Sequence, residues 1–266
     1  MSGHVSLTTD DGDARVALVT LSHRPRFNAM SRAMWRELKD VFTRIQAGTD
    51  WRCVLLRGDG MHFCAGGDIA EYPAFRFDAA SLRAFHEDEV WGGLQAVLDC
   101  DVPVVAAIAG NCMGAGVEIA SCCDIRVAAD DARFGAPIAK LGFPMAPREA
   151  QLVARVAGEA TAREMLLEAA VLGAPEMKAR GFLHRIEAPD DMLAHVLERA
   201  RRIAALAPQA ARANKQLFRA LNRLPVAGDT ASSAMNNIVV GAYDYADSAE
   251  HREGIAAFLG KRPARF

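Results

Sequence analysis

Two hydrophobic rhythms alternate along the first part of the chain. "ARVALVTLS" (14–22) and "RCVLLRG" (52–58) are rich in β-branched and apolar residues between polar clusters, which predicts strands. "VPVVAAIAG" (102–110) predicts a buried strand and "DIRVAAD" (124–130) another. Between them, "NAMSRAMWRELKDVFTRIQ" (28–46) places Met30, Met34, Leu38, Val41, Phe42 and Ile45 at helical spacing, with Ser31 available as N-cap. An amphipathic helix is expected over roughly 79–99, and further helices over 149–157, 161–169 and 174–181, with Gly158 and Gly181 as stops. The recurrence of strand, glycine loop and helix predicts parallel strands joined by helices.

Near residue 190 the strand patterns cease. Helical patterns follow over 191–206, over 208–224 with Pro208 at the start, over 231–247 and over 248–260. The expected organisation is a strand-and-helix domain over 1–190 and a helical region over 191–266. These last helices have no large sheet of their own to cover, which suits docking onto other subunits.

Composition narrows the picture. With 266 residues, 51% of them hydrophobic and 24% charged, the chain is globular and long enough for a substantial core. A net charge of −2 gives no global attraction to nucleic acid or to an anionic membrane. Six cysteines form no C-x-x-C pair and read as reduced, mostly buried residues. The N-terminal segment lacks the basic patch and apolar run of a signal peptide, and the longest apolar segment is too short to span a bilayer. A cytoplasmic protein is expected.

Candidate chemistry gathers in two glycine loops, "CAGGD" (64–68) and "CMGAG" (112–116), each after a strand and before a helix. Small residues let a ligand approach the backbone, and helix N-termini present unpaired N–H groups. Two such groups aimed at one point would polarise a carbonyl and stabilise an oxyanion. The spacing is not that of a dinucleotide fingerprint. Just beyond the second loop a carboxylate, Glu118, sits among small and apolar residues. A charged group in such company is neutralised by a partner or held there for chemistry.

Four segments, in order, resemble the crotonase (enoyl-CoA hydratase/isomerase) superfamily. They are "LSHRPRFNAMSRAMWREL" (21–38), "FCAGGDIAEY" (63–72), "AAIAGNCMGAGVEIASCCDIRVAADDARFGAP" (106–137) and "EGIAAFLGKRPARF" (253–266). The resemblance implies an α/β crotonase-type (ClpP/crotonase) β-β-α spiral with a C-terminal helical oligomerisation region, assembling as a trimer or a dimer of trimers. It implies an acyl-CoA thioester substrate, whose oxygen the N–H groups of Gly67 and Ala115 would hold. Ala65, Gly67, Asp68, Ile69 and Ala70 match the stretch whose backbone lies along coenzyme A. Arg24 and Arg26 match basic residues that approach its phosphates, and Phe258 and Lys261 match residues that reach it from a neighbouring subunit. Glu118 matches the first of two hydratase glutamates, an acid/base whose pKa an apolar pocket would raise. No cofactor is implied beyond the coenzyme A of the substrate, and no metal.

The chain departs from the family at one decisive place. The second hydratase glutamate would follow "F-G-x-P", and here "FGAPIAKLGFP" (134–144) puts Ile138 there. An isoleucine moves no protons, so ordinary two-glutamate hydration and simple isomerisation are both weakened. In the next segment, "PMAPREAQL" (144–152), glycines give way to Ala146, Pro147 and Arg148, and Glu149 is expected to face water on the first turn of a helix, the alternative being that it points inward as a substitute carboxylate. Asp68 and Asp124 read as capping or loop-bridging residues. The seven histidines are scattered and read as surface or packing residues. The leading expectation is an enzyme of the hydratase/isomerase type. The alternatives are a non-catalytic acyl-CoA-binding protein, or a decarboxylase or carbon–carbon lyase that needs one carboxylate.

Overall fold

Strands that must bury both faces carry apolar side chains at nearly every position, and four here do so in strict alternation. In β2 (Asp13–Ser22), Ala17, Val19 and Leu21 point to one side and Val16 to the other. In β3 (Cys53–Gly58) and β4 (Val104–Ile108), Val54, Leu56, Val104, Ala106 and Ile108 join the first side, while Cys53, Leu55, Val105 and Ala107 join the second. β6 (Ile125–Ala129) and β9 (Arg185–Glu187) complete a sheet ordered β1-β2-β3-β4-β6-β9, parallel from β2 onward. A smaller sheet, β5-β7-β8, is built from Asn111–Met113, Arg133–Gly135 and Val171–Gly173. The computed structural model describes residues 2–221, 241 and 243–266.

The first face is covered by helices. α1 (Arg32–Ala47) buries Met34, Trp35, Leu38, Phe42 and Ile45, and the Ser31 hydroxyl accepts from the Met34 N–H at 3.2 Å. α2 (Ala79–Ala84) and α3 (Trp91–Asp99) form one helical run interrupted by a π-helical segment, Phe85–Val90. α4 (Ala115–Cys122) is buried at every position. α5 (Pro147–Ala157) ends at Gly158, and α6 (Glu159–Leu167) and α7 (Ala174–Ala179) follow.

Three features depart from the sequence reading. The N-terminal residues form β1 (His4–Asp10), an edge strand antiparallel to β2. Only Val5 and Leu7 of its seven residues are apolar, too short an alternation to betray it. The first tail helix, α8 (Pro189–Ala204), does find a sheet to cover. Met192, Val196, Ala200 and Ala204 close the second face against Val16, Leu55, Val105 and Val127. The helix read over 231–247 falls largely outside the described residues, and its described end, 243–247, forms turns. α9 (Pro208–Leu221) and α10 (Ala249–Leu259) complete the described tail. α9 is tied down by Lys215, which donates to Val102 O at 2.9 Å and pairs with Asp124, and by Arg219 on Asp101. No helix among the described residues is long and apolar enough to cross a membrane.

Because α8 completes the core rather than merely decorating it, Val196→Asp is expected to cost about 3 kcal/mol or more by burying an unpaired charge. Urea denaturation followed by circular dichroism checks this: a midpoint close to that of the unmodified protein would show α8 to be dispensable for the fold.

Candidate active site

The two glycine loops meet backbone to backbone. Cys64 N–H donates to Asn111 O at 2.9 Å and Met113 N–H donates to Cys64 O at 2.8 Å. Gly116 makes the approach possible, since a Cβ there would lie 2.6 Å from Cys64 O. Gly114 turns the chain into α4 at φ 46°, in the region that favours glycine.

This crossing leaves two donors unused. Met30 bridges to Gly67 through its own N–H to Gly66 O (2.8 Å) and its carbonyl to Asp68 N–H (2.8 Å), so the ladder passes over the Gly67 N–H. Ala115 opens α4, where N–H groups have no intrahelical acceptor. Neither N–H donates to another described residue. Both residues line a cavity of about 220 Å³, together with Ala65, Gly66, Ile69 and Glu118.

Glu118 is the fourth residue of α4, and its carboxyl takes no hydrogen bond from the described residues. Burial pushes its pKa from 4.5 up to about 8, and the nearby charge of Glu149 adds to the shift. Glu149 does not face water as expected. It is buried on α5, 2% exposed, because the helix turns its first turn inward against the π-helical segment. There it accepts from His86 Nδ1 at 3.1 Å. His86 Nε2 lies 3.5 Å from Arg76 Nη1, and a guanidinium can only donate. His86 and Arg76 both line the cavity, and Glu149 stands behind His86.

The remaining wall is apolar: Trp35, Val90, Ile138, Leu141, Phe143 and Met145. Asp68 caps the turn Ile69–Ala74, accepting from Ala70 N–H at 3.2 Å, and Asp124 accepts from Val104 N–H at 2.7 Å. Arg24 and Arg26 lie outside the cavity. Arg24 is held on Asp59 through two contacts of 2.7 and 2.6 Å. Phe258, 82% exposed, and Lys261 belong to the tail and are not part of the cavity wall in the single chain. All six cysteines are free and buried, and burial pushes the Cys64 thiol up to about 12, which rules it out as a nucleophile near neutrality.

Sequence reading missed His86 and Arg76, and it favoured an outward Glu149 over the inward one that the structure has. The π-helical register puts the consecutive residues Phe85 and His86 on the same wall, which a 3.6-residue period cannot anticipate. Arg76 follows a 3-10 turn, where no periodicity applies.

A parallel sheet wrapped by helices, with two backbone crossings opening on a cavity that holds one buried carboxylate, defines the crotonase class of α/β fold. A family model described as enoyl-CoA hydratase/isomerase matches residues 11–266, and the chain belongs to that family as one of its enzymes. It is similar to a probable enoyl-CoA hydratase of Mycobacterium tuberculosis, with 31% identity over 96% of this chain and 95% of the relative. It is 29% identical to the 2,3-dehydroadipyl-CoA hydratase of Escherichia coli K12, over 95% of each chain. Among solved structures, an enoyl-CoA hydratase/carnithine racemase from Magnetospirillum magneticum superposes with a TM-score of 0.90 at 36% identity, covering 100% of this chain and 96% of the other.

The Glu118 shift has a thermodynamic consequence. Between 4.5 and about 8 the folded protein holds one proton more than the unfolded chain, so this group's contribution to stability falls as pH rises through that window and is constant above it. Glu118→Gln is thus expected to raise the unfolding free energy obtained from urea titration, by up to a few kcal/mol at about pH 8.5 and by little at about pH 5. An equal gain at both would place the carboxylate's ordinary pKa in the folded state.

Proposed function

We propose that the enzyme hydrates or isomerises an enoyl-CoA thioester through an enolate, with Gly67 and Ala115 N–H holding the thioester oxygen. The observation that carries this is a carboxyl with no hydrogen-bond partner sharing one cavity with two uncommitted backbone donors. Charge grows on the thioester oxygen as the double bond is attacked, and preorganised donors in a small apolar cavity lower the cost of that charge.

Hydration needs two proton movements, and Ile138 on the cavity wall cannot supply the second. His86 stands in for it. Water adds its oxygen to C3 while His86 Nε2 takes its proton, and the displaced electron pair moves through C2 to the thioester oxygen. The protonated Glu118 then delivers its proton to C2, and the enolate collapses. Glu149 positions the ring and balances the imidazolium that forms. In the tail, the exposed Leu206, Phe218 and Leu221 support assembly into the trimer or dimer of trimers expected of the family, and thus contact of Phe258 and Lys261 with a neighbouring copy's coenzyme A.

Two substitutions test the roles. Glu118→Gln is expected to lower kcat on a panel of enoyl-CoA thioesters by at least about a hundredfold, with thioester binding retained. His86→Gln is expected to lose a similar factor in hydration. Product, not substrate loss, is scored by mass. Binding without product from any enoyl-CoA by the unmodified protein would overturn the reading in favour of a thioester binder. Product from carboxylated saturated thioesters alone would favour the decarboxylase.

A further inference from the structure

Arg76 is the one charged cation on the cavity wall, and it pairs with no carboxylate among the described residues. Its guanidinium lies 3.7 Å from the centroid of the Phe143 ring and 4.6 Å from that of Tyr72. Among the described residues its only polar side-chain contact is the weak one at 3.5 Å to His86. Burial works against its charge. A half-buried guanidinium packed against two aromatic rings is restricted in direction, yet its fork of N–H donors has no planar acceptor to meet among the described residues. Elsewhere the chain pairs such groups: Arg32 with Glu89, Arg180 with Glu164, Arg201 with Asp10. A cation left without a carboxylate partner on a largely apolar cavity wall is completed by its ligand.

We infer that Arg76 receives a carboxylate carried at the far end of the acyl group, so that the substrate is a carboxyacyl-CoA thioester rather than a plain fatty acyl one. This rests on the thioester reading above. The placement sets the length. The Tyr72 hydroxyl rests against Gly67, and Arg76 lies over the Tyr72 ring. Arg76 is therefore about one aromatic ring from the amide that would hold the thioester oxygen, which suits an acyl chain of about four to six carbons. The phosphates of coenzyme A do not suit this position, because the whole pantetheine arm separates them from the thioester. An ω-carboxylate would take two parallel N–H···O bonds from the guanidinium, the geometry in which arginine outperforms lysine.

The test uses thioesters that cannot react, so that it does not depend on the chemistry. Calorimetry compares succinyl-, glutaryl- and adipyl-CoA with butyryl-, pentanoyl- and hexanoyl-CoA, and with free coenzyme A. At least one carboxylated member is expected to bind about tenfold or more tightly than its methyl-ended counterpart. Arg76→Leu is expected to abolish that preference while leaving hexanoyl-CoA and coenzyme A unchanged, and Arg76→Lys to keep part of it. No preference in the unmodified protein would overturn the inference. So would a preference that survives Arg76→Leu, or an equal loss for all ligands, which would make Arg76 a wall or phosphate residue. The unmodified-protein comparison stands even if a variant fails to fold. Failure of every CoA thioester to bind would instead overturn the underlying thioester reading.

Discussion

Two stretches of main chain press together without side chains between them, and the site depends on that contact. The hydrogen bonds between Cys64 and the 111–113 segment lock the loop after β3 to the strand before α4, and Gly116 lets the helix start directly beneath. Because the ladders around Met30 and Cys112 consume neighbouring amides, the N–H groups of Gly67 and Ala115 are left over. The large sheet makes this rigid. Helices α1 and α4 bury one face and α8 the other, so that both loops are anchored at strand ends in a core closed on both sides.

Charge in the cavity is arranged around this backbone frame. Glu118 lacks a partner and is held protonated near neutrality by burial and by Glu149. Glu149 is in turn occupied by His86, whose other ring nitrogen lies 3.5 Å from Arg76. Glu118, His86 and Arg76 thus stand along one wall, and α5 meets the π-helical segment behind the same cavity.

The order of strands and helices in the first 190 residues was legible because each element carries its own period: Met34, Leu38, Phe42 and Ile45 in α1, and the continuous apolar runs of β3 and β4. Gly67, Ala115 and Glu118 were legible because the two glycine loops resemble a family whose backbone atoms act, and backbone roles leave a clear trace in small residues. β1 was hidden, since an edge strand with one solvated face needs few apolar residues.

The sequence by itself determined the fold, the family and the one carboxylate beside a small-residue turn, since these follow from local periodicity and from glycines with no substitute. Tertiary structure alone decided which polar side chains join Glu118 at the cavity. His86 and Arg76 are ten residues apart and Glu149 is 63 residues beyond His86, and they meet where the π-helical segment packs beside the inward first turn of α5. Long-range contacts between polar side chains leave no period in the chain, and only the packed structure brings them within hydrogen-bonding distance.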